Sequence, residues 1–232
     1  MRRSMNAARA LSLAMLAVPA APAVAADWMK TFDVDTGALA TVGESPYFVL
    51  RPGHRLTLEG REHGKAVQLV VTVLDETRRV GGVETRVVEE RESSAGVLRE
   101  VSRNYFAIDP RTKDVYYFGE DVDEYDGNGK LSGHGGGWHH GADGARFGLM
   151  VAGAPAVGSR YYQEQAPGRA LDRAQVVSVT ERLSTPAGAF ERCLRTKETT
   201  PLEPFAKEYK VYAPGVGLIQ DGPLVLVARS GS

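Results

Sequence analysis

Turn chemistry recurs along this chain roughly every eight to fifteen residues, and that spacing leaves no gap suited to the crossover helices a parallel sheet needs. Gly81–Gly82 separates the Val-rich run Ala66–Leu74 from Val83–Glu92. Ser93, Ser94 and Gly96 lead into Leu98–Asp109, and Asp109–Pro110–Arg111 opens the next turn. Asp114–Tyr125 follows and ends at Asp126–Gly127–Asn128–Gly129, which reads as a type I′ turn. β-Prone runs return at Arg160–Gln165, Gln175–Leu183, Phe190–Thr199, Lys207–Ala213 and Leu218–Ala228, with a further short run at Arg55–Glu59. No amphipathic helix interrupts them. The expectation is an all-β fold: an antiparallel meander forming a curved half-barrel, barrel or sandwich, with a Gly/His-rich loop near residues 132–145.

The first 26 residues carry a different signal. Arg2, Arg3 and Arg9 precede a short apolar run, Leu11–Val18, and Ala23–Val24–Ala25 has the A-x-A form of a cleavage site. This reads as a secretory signal peptide, removed on export, which places the protein in the periplasm or outside the cell. Residues 27–45 then read as an extended N-terminal arm and 46–232 as a single β domain. The chain holds 28 basic and 29 acidic side chains, and the leader accounts for three of the arginines. The mature protein is therefore mildly acidic, with no basic run, which argues against a nucleic-acid partner. No stretch beyond the leader is long and apolar enough to cross a bilayer as a helix. Cys193 is the single cysteine, so no intramolecular disulfide is available and packing must supply stability. Its neighbours offer no base, and it reads as a small strand hydrophobe.

Three segments carry a resemblance: Pro46–Tyr47–Phe48 with Arg51–Pro52–Gly53, the run Tyr116–Lys130 (YYFGEDVDEYDGNGK), and Tyr212–Ile219 (YAPGVGLI). Together they resemble a group of secreted bacterial β-rich proteins. The resemblance implies a secreted β domain and no particular chemistry. The last segment is also similar to periplasmic proteins of the lipoprotein-carrier type, built on one curved antiparallel sheet.

Several residue groups are candidates for chemistry. Glu120, Asp121, Asp123, Glu124 and Asp126 crowd five carboxylates into seven residues. Asp121, Asp123, Asp126 and Asn128 offer oxygen ligands for a Ca²⁺-like divalent cation, although the spacing is not that of an EF-hand. His134, His139 and His140 offer imidazoles for a softer metal, though adjacent His139 and His140 diverge on an extended chain. His134–Gly137 matches an oxyanion-loop pattern, but no G-x-S-x-G elbow accompanies it. Tyr105, Tyr116, Tyr117, Trp138, Tyr161 and Tyr209 lie on or near β-prone runs and suit the walls of a ligand pocket. The leading expectation is an exported binding or carrier protein for an apolar small molecule or lipid. A metal-binding β-protein using the 120–128 hairpin is the alternative. An enzyme using Glu120 or Asp123 as general acid–base is the third, recognisable by a pocket that joins such a carboxylate to a buried His.

Overall fold

The computed structural model describes residues 27–231, so the expected signal peptide lies outside the described residues. The described chain is all-β, apart from one 3₁₀ turn at Thr36–Ala38. Its strands are β1 (Gly43–Ser45), β2 (Phe48–Leu50), β3 (Arg55–Glu62), β4 (Lys65–Val80), β5 (Val83–Ser94) and β6 (Val97–Ile108). Then come β7 (Val115–Tyr125), β8 (Leu131–Gly133), β9 (Trp138–His139), β10 (Arg146–Val151), β11 (Arg160–Tyr162) and β12 (Glu164–Gln165). The last are β13 (Arg173–Thr185), β14 (Gly188–Thr200), β15 (Glu203–Ala213), β16 (Gly217–Asp221) and β17 (Leu224–Ser230). All except β1 and β2 join one antiparallel sheet of 15 strands, in the order β11-β13-β14-β15-β16-β17-β3-β4-β5-β6-β7-β10-β12. The short β8 and β9 pair with β7 off that path.

The sheet is not closed by hydrogen bonds, yet its two ends meet. β11 and β12 are successive pieces of one segment, separated only by Gln163. Tyr161 pairs with Ala174 of β13, and Phe147 of β10 pairs with Glu164. The Gln163 and Glu164 amides both donate to Asp172 O, at 2.8 and 3.3 Å. Gly148 lets β10 approach this seam, because a Cβ there would lie 2.3 Å from the Gln163 carbonyl. The N-terminal arm runs beside β11 at the seam. Met29 bonds Arg160 and Tyr162 through the backbone, and Trp28 lies against the Arg173 guanidinium, 4.3 Å from its ring centre.

Bulges bend the long strands. The β4–β5 register shifts between Val73 and Thr77. The β6–β7 register shifts at Tyr105–Phe106, opposite Gly119 at φ +146°. Three shifts fall within β13–β14. Three apolar clusters line the bent sheet, and Leu50, Leu58, Phe118, Leu194, Ile219 and Leu226 are fully buried in them. Cys193 is a buried member, with its thiol pKa pushed up first by burial. The β1–β2 hairpin is tied to the β15–β16 turn by Gly215 N–H to Pro46 O at 2.8 Å. His54 Nε2 donates to Val216 O at 2.9 Å beside it.

Three local expectations need correction. The 126–129 turn is not type I′, which needs positive φ at both central residues. Only Gly129 is left-handed there (φ +74°), and its amide bonds Asp126 O, as in a type I turn followed by a left-handed glycine. The 132–145 segment is not all loop, because β8 and β9 dock on β7. The run Leu218–Ala228 is two strands, broken at Gly222–Pro223.

The seam makes a clear prediction. Gly148→Ala drives a methyl into backbone atoms of Tyr162 and Gln163, and overpacking of this kind costs about 3 kcal/mol. At about 2–4 °C per kcal/mol, the melting temperature falls by about 6–12 °C. Gly127→Ala, whose Cβ meets only Arg99 Nη1 at 3.7 Å, leaves it unchanged in the same calorimetric scan.

Candidate functional site

Alternation along β5, β6 and β7 sends Glu90, Ser102, Asn104, Phe106, Tyr117 and Glu120 toward one side of the sheet. Glu198 of β14 and Lys210 of β15 line the same cavity, although β16, β17, β3 and β4 lie between β15 and β5 in the sheet. The sheet is therefore curled far enough for distant strands to face each other. The seam residues Gln163 and Glu164, with Asp172, complete the wall. The cavity holds about 330 Å³.

Its chemistry is unusual for the inside of a β fold. Glu90, Glu100, Glu120, Glu164, Asp172 and Glu198 all line it, against the single basic group of Lys210. Lys210 Nζ stands 3.4 Å from Asp221 Oδ2 and 3.6 Å from Glu198 Oε2. Burial alone would lower the Lys210 pKa, but Asp221 and Glu198 outweigh it and hold the ammonium well above its ordinary range. The remaining acids have no such partner. Burial pushes Glu90 up to about 7, reinforced by Asp221, Glu100 and Glu198 and opposed by Lys210. Glu120 is likewise pushed up to about 7 by burial, with Glu90, Glu100 and Asp172 adding and the nearby Tyr117 hydroxyl opposing. Glu164 lies well above the carboxylate range through burial and the nearby Glu120 and Asp172. Asp172 is likewise raised by burial, with Glu203 adding and Thr200 and Lys210 opposing.

Most donors around this chamber are already engaged. Trp138 Nε1 donates to Glu164 Oε2 at 2.7 Å. The Tyr117 hydroxyl donates to Asn104 Oδ1 at 2.5 Å, and Asn104 Nδ2 donates to Ser102 Oγ at 3.1 Å. Gln163 Nε2 donates to Glu198 Oε1 at 3.2 Å, whereas Gln163 Oε1 is buried without a partner.

A second, apolar compartment adjoins the first. Phe48, Leu56, Val71, Val73, Val88 and Leu218 contribute to its wall, and it holds about 50 Å³. Glu90, Phe106, Met150 and Lys210 line both spaces. An aliphatic space and an acidic space therefore lie side by side, with a wall in common.

The residues singled out in the sequence fall mostly elsewhere. Asp121 and Asp123 point away from Glu120, into a notch of about 460 Å³ beside β9. There the acidic hairpin meets the His segment. Asp123 Oδ1 lies 2.7 Å from His134 Nδ1, and Asp123 Oδ2 accepts from Arg103 Nη1 at 3.2 Å. Asp121 Oδ1 lies 2.9 Å from His139 Nε2, while Asp121 Oδ2 accepts from Arg78 at 2.5 Å and from the Tyr105 hydroxyl at 2.6 Å. Both carboxylates are held below their ordinary range. For Asp121, Tyr105, Arg78 and His139 overcome burial, and for Asp123 the His134 hydrogen bond leads. The expected oxygen-ligand set is not assembled. Asp126 caps its own turn by accepting the Asn128 and Lys130 amides at 2.8 and 3.0 Å, and Asn128 is exposed beside it. His140 is also spent locally, accepting the Phe147 amide at 3.3 Å and packing on Phe118. Among the described residues, no three His, Cys, Asp or Glu side chains converge to hold a metal ion.

Of the aromatic candidates, Tyr117 lines the acidic cavity and Trp138 braces it through Glu164. Tyr105 belongs to the notch network, Tyr116 packs edge-on against Phe32, and Tyr161 is buried in the core. Tyr209 stacks with Arg195, whose guanidinium carbon is 4.6 Å from the ring centre. An acid with a raised pKa does line a pocket, as the enzyme reading required of Glu120, but the His54 ring lies at the apolar end and no histidine lines the acidic chamber. Sequence reasoning missed Glu90, Glu100, Gln163, Glu164, Asp172, Glu198 and Lys210. Glu90, Glu164 and Glu198 have polar neighbours on both sides in sequence, and Gln163 and Asp172 lie just outside strands, so no period-2 contrast marked them.

No family model, curated protein or solved structure matches this chain.

The raised acids fix the sign of a pH effect. Between the ordinary 4.5 and about 7, folded Glu90 and Glu120 keep protons that the unfolded chain releases. Stability therefore falls as pH rises through that window and is lowest above it. Glu120→Gln, a neutral isostere, melts about 2–4 °C higher than the parent near pH 7.5, the shift that ~1 kcal/mol gives in a domain of this size. Near pH 5 the two melt together.

Proposed function

We propose that this protein is an exported binding or carrier protein for a small amphipathic molecule held in the hollow of its curled sheet. The observation that supports this reading is the pair of adjoining compartments, one aliphatic and one acidic, with Glu90, Phe106, Met150 and Lys210 in the walls of both. A ligand with an apolar end and a polar end matches that division, because each end then meets surface of its own kind. The modest volumes, about 330 and 50 Å³, favour a small molecule over a two-chain lipid. Export is the reading of residues 1–26, and a periplasmic carrier is consistent with it.

Native mass spectrometry of the protein recovered from its exported fraction is the direct test. A copurified adduct that extracts into organic solvent is the expected result. Independently, the neutral fluorophore N-phenyl-1-naphthylamine gains emission on entering the hollow. Val71→Phe, which fills the apolar end, weakens its binding by about tenfold, or ~1.4 kcal/mol. A bare polypeptide together with no fluorescence gain removes the proposal.

A further inference from the structure

We infer that the polar end of the ligand is an organic cation, an ammonium or amidinium group, seated among Glu90, Glu120, Glu164 and Gln163; this rests on the hollow being the binding site. Two independent observations lead there. The first is charge. Of the side chains lining the acidic chamber, six are carboxylic and one is basic, and Lys210 is committed to Glu198 and Asp221. Glu90, Glu100, Glu120, Glu164 and Asp172 are left facing a common space without a counter-ion. The second is hydrogen-bond accounting. Gln163 is only 4% exposed, its Nε2 is engaged by Glu198, and its Oε1 has no donor. The Tyr117 hydroxyl, Asn104 amide and Trp138 indole are all donating already. With its carboxyls ionised the chamber is thus rich in acceptors and short of donors, and a buried acceptor without a donor is costly. A group carrying positive charge and several N–H donors satisfies both deficits at once. A carboxylate or phosphate satisfies neither. A compact metal ion is not favoured either, since no three ligating side chains converge among the described residues.

Protons follow from the same geometry. The groups facing the chamber are Glu90, Glu100, Glu120, Glu164, Asp172 and Glu198, with Lys210, and Asp221 and Glu208 act on it from β16 and β15. Several of these acids hold protons near neutrality when the chamber is empty of cation. An entering ammonium favours their ionised form, so binding releases protons to solvent. The affinity for a cation therefore rises as pH is raised from about 6 to about 8, a range in which an alkylammonium stays charged.

Isothermal titration with three ligands of matched length reads this out: octylammonium, 1-octanol and octanoate. Octylammonium is expected to bind at least about tenfold tighter than octanol, with octanoate weakest. Its heat of binding varies with buffer ionisation enthalpy in the sense of proton release. The double variant E90Q/E120Q loses the preference for the amine over the alcohol. If octanol or octanoate matches octylammonium, the cation inference falls while the binding reading stands. If none of the three binds, both fall. The comparison of ligands on the unaltered protein decides the question even where a variant folds poorly.

Discussion

A sheet of 15 strands has two edges, and a bare edge pairs with whatever strand it meets. Here that constraint is met by one short segment. Arg160–Tyr162 finishes one end of the hydrogen-bonded path and Glu164–Gln165 the other, so the two edges lie side by side at Gln163. Much else depends on this. The ends can meet only if the sheet curls, and the curl is what sets β5–β7 across from β14 and β15. The bulges at Val73–Thr77 and Tyr105–Phe106 supply bend where the long strands would otherwise run flat. The arm from Asp27 then bridges to β11 through Met29.

The seam and the candidate site are the same place. Gln163 and Glu164 are the residues at which the edges meet, and both face the acidic chamber. A polar side chain at such a point is expensive to bury unless it is paired. Hydrocarbon side chains would have sealed the join at less cost. The protein instead places an amide and a carboxyl there, and leaves Gln163 Oε1 without a donor. The same pattern repeats along the wall, where Glu90 and Glu120 are carboxyls forced toward the protonated form near neutrality. Several local rules of stability are broken together along this wall, and such breaches concentrate at functional sites.

The architecture was legible because turn chemistry and strand alternation are local. Gly81–Gly82, Thr185–Gly188 and the 126–129 turn each mark a hairpin that exists. The error at 126–129 concerned turn type, which depends on the sign of φ at Gly127 and Asn128, and either sign suits those residues. The split at Gly222–Pro223 was marked by the turn residues Asp221–Gly222–Pro223, but the apolar runs on either side were read as one strand. The site was far less legible. Asp121 and Asp123 drew attention by density, yet density along a strand divides between two faces, and Glu120 went to the other one. Lys210, Glu198 and Glu90 come together only through the curl, with β16, β17, β3 and β4 between β15 and β5. No local pattern encodes that juxtaposition. The Asp–His pairings were half visible: both partners were noted as metal ligands, while the arginines that neutralise the aspartates were not.

The notch is still connected to the hollow, through Trp138. β9 pairs Trp138 with Glu120 and His139 with Gly119, which carries no Cβ and so admits the close approach of Trp138 O. Polar contacts as exposed as His134–Asp123 and His139–Asp121 each add at most about 1 kcal/mol. Their consequence is geometric. They hold the Gly-rich segment 133–137 and β9 against β7, and β9 aims the indole inward. There its ring packs edge-on to Tyr117, with centroids 5.3 Å apart, and its Nε1 donates to Glu164. A residue that lines one space thereby positions a carboxyl in the other. The histidines and aspartates that looked like metal ligands act on the acidic chamber from outside, by setting where Trp138 stands.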